Sequence, residues 1–381
     1  MYGPLAIHSG SAHYGSEPSI PKETLDALSD KDFTTLRHPA FPSYGVRVKR
    51  TRWCDETVKA YTGYIDIQDR HLYFSFFESR SDPDRDDVIF WTNGGPGCSS
   101  STGLLMELGP CRIDAAFVPI FFEHFTEFKG RAFRMAGESY AGRYLPVYAS
   151  AVYDQNEKLL QQGLTPINLV LLPRCRQWIQ SSCIDHFDGI DCYAAAETCE
   201  AAIGFPYYQM GQNPYDVSKV CEGGIGSLCY PVLQNITRYL NSSYIRTLLG
   251  VDPTVTSFSF CSPAIELSFY LNNDRLHSSV EYIAQLLERD VHVLIYVGLY
   301  DWLVHWIGNE RWTLDMEWSG KQEFNEQPLR DWVVDGRVTG RTRSAKGLTF
   351  TTIGAAGHLV PYDKPRESLE MVQRWLAGRP L

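Results

Sequence analysis

Short apolar runs recur along this 381-residue chain, and each ends in a loop of glycines and reactive side chains. Asp87-Val88-Ile89-Phe90-Trp91 leads into Asn93-Gly94-Gly95-Pro96-Gly97, and Arg131–Ala136 leads into Gly137-Glu138-Ser139-Tyr140-Ala141-Gly142. Val291–Val297 precedes Tyr300-Asp301-Trp302, and Leu348–Ile353 precedes Gly357-His358-Leu359. Runs of this length bounded by turn residues read as buried strands, and Ile167–Leu172 is another. Helical patterns are read over Phe117–Phe128, Arg143–Tyr153, Val304–Leu314 and Pro365–Leu376. Buried strands alternating with helices predict an α/β fold around a parallel sheet. Ligands and chemistry gather at the carboxyl ends of strands in such sheets.

The remaining chain divides around this pattern. Residues 1–44 are polar, with one short helix-like stretch at Pro21–Leu28, and read as an N-terminal, propeptide-like extension outside the core. Order is expected from about Val46. Val58–Ile67 and His71–Phe77 flank the polar turn Gln68-Asp69-Arg70 and predict a hairpin. Residues 45–381 form the main domain, and residues 173–262 read as an inserted, cysteine-rich subdomain.

Six of the ten cysteines fall between Cys175 and Cys229, with no Cys-x-x-Cys pair anywhere. That spacing argues against zinc or thioredoxin-like motifs and for disulfides made in an oxidising compartment. The sequons at Asn235 and Asn241 agree with a secretory route, either to a vacuole- or lysosome-like compartment or out of the cell. The segment MYGPLAIHSG shows no signal peptide, so a missing start is expected. The net charge of −10 makes nucleic acid an unsuitable partner. No uncharged apolar run is long enough to span a bilayer, and no metal or cofactor is called for.

The chemistry centres on Ser139. It sits between a predicted strand and a predicted helix, with Gly137 and Ala141 two positions to either side. A sharp strand-to-helix turn needs such small neighbours and thrusts the serine out above the sheet. By itself this could be an ordinary turn, Asp301 a helix cap, and His358 a loop histidine. Together they run in the order serine, acid, histidine, each after a strand, which is the order of an α/β-hydrolase triad.

Four longer motifs extend this pattern: Trp91-Thr92-Asn93-Gly94-Gly95-Pro96-Gly97-Cys98-Ser99-Ser100, Gly137–Gly142, Tyr300-Asp301-Trp302 and Gly357-His358-Leu359-Val360-Pro361. In these the sequence resembles the serine carboxypeptidases of the carboxypeptidase Y type, from about residue 32 onward. The resemblance implies an α/β-hydrolase sheet flanked by helices, with a disulfide-braced, mainly helical insertion. It implies that Ser139, His358 and Asp301 act as nucleophile, base and orienting acid, and that the amides of Gly95 and Tyr140 form an oxyanion hole. Peptide or protein C-termini are the implied substrates, their carboxylate met by Trp91, Asn93, Gly94, Glu107 and Glu138. Two neighbouring glutamates cannot both ionise cheaply, so the pair is expected to titrate as a unit and to favour acidic pH. The implied disulfides are Cys98–Cys261, Cys175–Cys199, Cys183–Cys192 and Cys221–Cys229. Cys54 and Cys111 are left open, and Val304 stands where some relatives carry a thiol. Acyltransferases and esterases share the triad, so that alternative stays open.

The chain also departs from the family. Relatives carry a further strand and helix where this chain passes from Ile113-Asp114-Ala115 into Phe117, and another block after Leu172. The flanks are intact, the pattern of blocks removed whole. A missing central strand leaves its neighbours without ladder partners, which makes a catalytically impaired homologue a further alternative.

Overall fold

A computed structural model describes residues 25–37, 43–54, 57–107, 133–140, 178, 180–198, 211–272, 274 and 277–381. Among these residues ten strands form three sheets. The first is an antiparallel meander of β1 (Thr34–Leu36), β2 (Tyr44–Thr51), β3 (Ala60–Ile67) and β4 (Arg70–Phe77). The expected hairpin is β3–β4. Ile67 pairs with Arg70, and Gln68 takes a φ of 58° to close the two-residue turn.

Within residues 1–44, read as outside the core, the described stretch 25–36 packs into this sheet. β1 pairs antiparallel with β2, and Leu25, Leu28 and Leu36 are buried against Val46, Val48, Ile65 and Phe74. Three well-spaced leucines in a polar segment carry no clear period, yet each fills a place in the core.

Two parallel strand pairs carry the chemistry. β5 (Val88–Asn93) pairs with β6 (Phe133–Glu138) in a register that sets Asn93 beside Glu138. β7 (Val293–Gly298) pairs with β10 (Leu348–Ile353), setting Gly298 beside Ile353. That second sheet continues through β9 (Arg337–Ala345) to β8 (Arg330–Val334), both antiparallel. The hairpins turn at Asp335-Gly336 and Lys346-Gly347, all four residues at positive φ, as two-residue turns between twisted strands require. Helices Val280–Leu287 and Trp306–Asp315 pack beside β7 and β10 over a core of Val297, Phe324, Leu348 and Phe350. Pro365–Leu376 forms a helix over its full expected length, with Met371 buried.

Among the described residues β5 pairs only with β6. Ile89, in a run read as buried, is 57% exposed, and Leu72 and Tyr73 on β4 are also exposed. The stretches read as Phe117–Phe128, Arg143–Tyr153 and Ile167–Leu172 lie outside the described residues.

The predicted disulfides Cys98–Cys261, Cys183–Cys192 and Cys221–Cys229 are formed. Cys175, Cys199 and Cys111 lie outside the described residues. In the 173–262 region, helices Val232–Leu240 and Ser243–Leu249 bury Leu233, Ile236, Leu240, Ile245 and Leu249 together. No helix among the described residues is long and apolar enough to cross a membrane.

Candidate active site

Parallel pairing places all four motif loops at carboxyl strand ends. Asn93 ends β5, Glu138 ends β6, and Ser139 follows immediately with φ 59°. A non-glycine residue at positive φ is uncommon and costs energy. Here it makes the abrupt turn that lifts the serine off the strand. Beside it, Gly94 is buried so tightly that an added Cβ would lie 2.3 Å from the Tyr140 amide nitrogen. The next residue, Gly95, is exposed and adopts φ 122°, open only to glycine. The glycine loop and the turn after Ser139 are therefore in backbone contact.

Asn93 is the hub of the neighbouring polar network. Its Oδ1 accepts from Trp91 Nε1 at 3.0 Å and from the Gly103 amide at 3.2 Å. Its Nδ2 donates to Glu107 Oε1 at 3.1 Å and to Glu138 Oε1 at 3.4 Å. One buried amide thus bridges the two glutamates that the sequence reading singles out. Glu107 reaches the site from the π-helical turn Gly103–Glu107, which packs against the short helix Val360–Asp363 just beyond His358.

On the other strand pair, His358 Nδ1 and Asp301 Oδ2 are 2.7 Å apart, and both side chains are buried. Asp301 Oδ1 accepts the Val304 amide at 2.9 Å, which fixes the carboxylate. With Nδ1 committed to the aspartate, Nε2 is the nitrogen left to take a proton. Gly298 allows the end of β7 to approach the histidine loop, since a Cβ there would lie 2.1 Å from the Gly357 carbonyl oxygen. Among the described residues no hydrogen bond joins Ser139 to His358. The two halves are instead linked through one apolar cluster that contains Leu104, Tyr230, Leu233 and Leu359. Burial raises the pKa of the Tyr230 phenol, reinforced by the charges of Asp363, Asp216, Glu138 and Asp301, so it stays protonated between the two halves.

Three neighbours of the site, Asp274, Phe269 and Tyr215, are absent from the sequence reading. Tyr140 donates through its hydroxyl to Asp274 at 2.6 Å and stands edge-on to Phe269. Tyr215 sets its ring edge-on to the His358 imidazole, 5.4 Å between centroids. The Asn213-Pro214 dipeptide marks a turn there, but not what the turn touches. The Cys98–Cys261 bond fastens the glycine loop to the start of helix Pro263–Leu271. Backbone bonds from Ser99 to Phe260 and from Ser262 to Gly97 flank it.

The two sequons differ. Asn235 is exposed on its helix. Asn241 Nδ2 donates to the carbonyls of Thr237 and Phe258 at 3.0 and 2.9 Å, and its Oδ1 accepts the Phe258 amide at 2.7 Å. The Asn241 amide is thus engaged within the fold, whereas the Asn235 side chain faces outward from its helix.

Comparison with known proteins agrees with this geometry. The sequence matches the family described as serine carboxypeptidase over residues 54–117, 115–172 and 172–378. The match breaks at the two places where the sequence reading finds blocks absent. Carboxypeptidase Y of Komagataella phaffii is 33% identical over 442 aligned residues, covering 92% of this chain and 84% of that protein. Carboxypeptidase Y of Saccharomyces cerevisiae is 32% identical over 461, covering 97% and 85%. Both alignments are longer than this chain. The crystal structure of Kex1(delta)p, a prohormone-processing carboxypeptidase from Saccharomyces cerevisiae, superposes with a TM-score of 0.61 at 18% identity, over 90% of this chain and 93% of that one. That structure supports the α/β-hydrolase fold, and the sequence matches place the chain in the serine carboxypeptidase family.

Proposed function

We propose that this serine carboxypeptidase releases C-terminal residues from peptides through an acyl-enzyme on Ser139. The serine Oγ attacks the carbonyl carbon of the last peptide bond while His358 Nε2 takes its proton. Asp301 holds the imidazole in the required tautomer and stabilises the imidazolium. The amides of Gly95 and Tyr140 receive the developing oxyanion. The carbon–nitrogen bond then breaks, His358 returns the proton to the departing amine, and water releases the acyl group by the same path. No metal or cofactor takes part in this sequence.

The observation that carries this reading is the Asn93 bridge between Glu107 and Glu138, one residue before the nucleophile. Asn93 holds both carboxyl groups together where a substrate carboxylate would sit, with Trp91 and Gly94 completing the recess. Two negative charges there would repel the same carboxylate, so peptide turnover is expected to favour acidic pH. The catalytic domain takes in Leu25–Leu36, which pack into its first sheet, together with residues 45–381, with 173–262 as its insertion. The disulfides fit maturation in an oxidising compartment and residence in a vacuole-like organelle or outside the cell, with Asn235 as the glycan acceptor.

A fluorophosphonate probe tests the nucleophile: label is expected on Ser139 and none on Ser139→Ala. Blocked dipeptides with free and amidated C-termini test the carboxylate recess. Equal turnover of the two at pH 4–5 would overturn it in favour of an esterase or acyltransferase.

A further inference from the structure

The segment Asn213–Lys219, within the inserted region, binds both the acid loop and the histidine loop. The Pro214 carbonyl accepts the amides of Trp302 and Leu303 at 3.2 and 3.1 Å, and the Val217 amide donates to the Tyr300 carbonyl at 2.9 Å. On the histidine side, the Tyr215 carbonyl accepts the His358 amide at 2.7 Å. The approach is too close for any side chain at Gly357, where a Cβ would lie 2.2 Å from the Tyr215 oxygen. One strap therefore holds Asp301 and His358 at a common distance.

The strap is fastened by charge. Lys219 Nζ lies 2.5 Å from Asp216 Oδ2 and 3.1 Å from Asp363 Oδ1. Asp363 Oδ2 in turn accepts the Gly357 amide at 2.8 Å, one residue before the histidine. Asp216 Oδ1 accepts the Ser218 amide and hydroxyl, which closes the strap on itself. The aspartate side chains are only 2% and 7% exposed, whereas Lys219 is half exposed. Burial pulls the lysine pKa down, but its bonds to the two carboxylates outweigh this and hold it above the ordinary value. Without that cation the link from Asp216 on the strap to Asp363 beside the histidine loop is lost.

We infer that Lys219, bridging Asp216 and Asp363, is a positioning residue that sets the His358 imidazole for catalysis. The inference rests on the proposed role of His358. A histidine displaced by about 1 Å loses rate through orientation, by roughly 100-fold, while substrate binding is largely kept.

The experiment compares wild type, Lys219→Met and Lys219→Arg. Steady-state turnover of a blocked dipeptide is read beside hydrogen exchange of the segment containing Gly357 and His358. Lys219→Met is expected to lower kcat by roughly 10- to 100-fold with KM within about twofold, and to speed exchange at that segment. Lys219→Arg is expected to restore both. If Lys219→Met does not fold, Asp363→Asn replaces it, keeping an acceptor for the Gly357 amide while removing charge. Unchanged exchange at the histidine segment overturns the inference, whatever the activity. So does wild-type kcat in a variant with loosened exchange. A wild-type enzyme that takes no fluorophosphonate label overturns the proposed nucleophile instead, a separate outcome.

Discussion

A single methyl group at Gly94 gives the sharpest test of the oxyanion arrangement. Its carbon would stand 2.3 Å from the Tyr140 amide nitrogen and 2.6 Å from the Tyr140 Cα, where ordinary contact begins at 3.4 Å. Both neighbours are backbone, so no side chain can swing away to make room. The glycine loop and the serine turn must separate by about 1 Å. A hydrogen bond of about 2.9 Å lengthened by that amount has ceased to be one. Loss of one oxyanion donor costs roughly 2.7–4 kcal/mol, or 10²–10³ in kcat. Gly94→Ala should therefore lose kcat by that factor on a blocked dipeptide, with KM moving much less and a cooperative thermal transition retained. Calorimetry run alongside the kinetics separates lost catalysis from lost fold. A folded Gly94→Ala enzyme within threefold of wild-type kcat would refute the idea that these two backbones jointly hold the oxyanion.

Asp301→Asn should lower kcat by about 10⁴ by favouring the wrong imidazole tautomer, as measured by single-turnover kinetics, and a loss under tenfold would contradict its role. Asn235→Gln should remove the glycan-dependent shift on a denaturing gel, whereas Asn241→Gln should leave the shift and lower Tm by freeing the Phe258 segment. At Asp66, burial pulls the pKa up, but bonds to Arg47 and His71 prevail and hold it below the usual carboxylate value. Its contribution is complete above the unfolded value of about 3.9 and fades as pH falls through the folded one. The Tm deficit of Asp66→Asn should thus be present at pH 6 and shrink toward pH 3, and a deficit that persists on acidification would contradict it.

What could be read from the chain was whatever is local. Leu348–Ile353 and Pro365–Leu376 each carry their whole signal within one window, and both formed at the expected bounds. The Ser139 turn was legible because its small neighbours lie two residues away. The β8–β9 hairpin escaped notice because Arg337, Arg341 and Arg343 break up the apolar alternation, although Asp335-Gly336 is a strong turn signal. Leu25, Leu28 and Leu36 gave no period, since a short edge segment needs only a few side chains to dock. Asn241 read as a glycan acceptor from its triplet alone, but its amide is engaged 17 residues away. The strap over the acid and histidine loops works largely through the carbonyls of Pro214 and Tyr215, and backbone oxygens leave no mark on a sequence.

The Cys98–Cys261 bond makes the site sensitive to its redox surroundings. It joins positions 163 residues apart and closes directly beside the loop that supplies the Gly95 amide. No thiol enters the proposed reaction, yet sulfur chemistry decides whether that loop is tethered. A reductant would slacken the enzyme while leaving its serine untouched, and a copy folded where thiols stay reduced would carry every reacting group and still work poorly. Such a tether suits a chain that matures where disulfides persist.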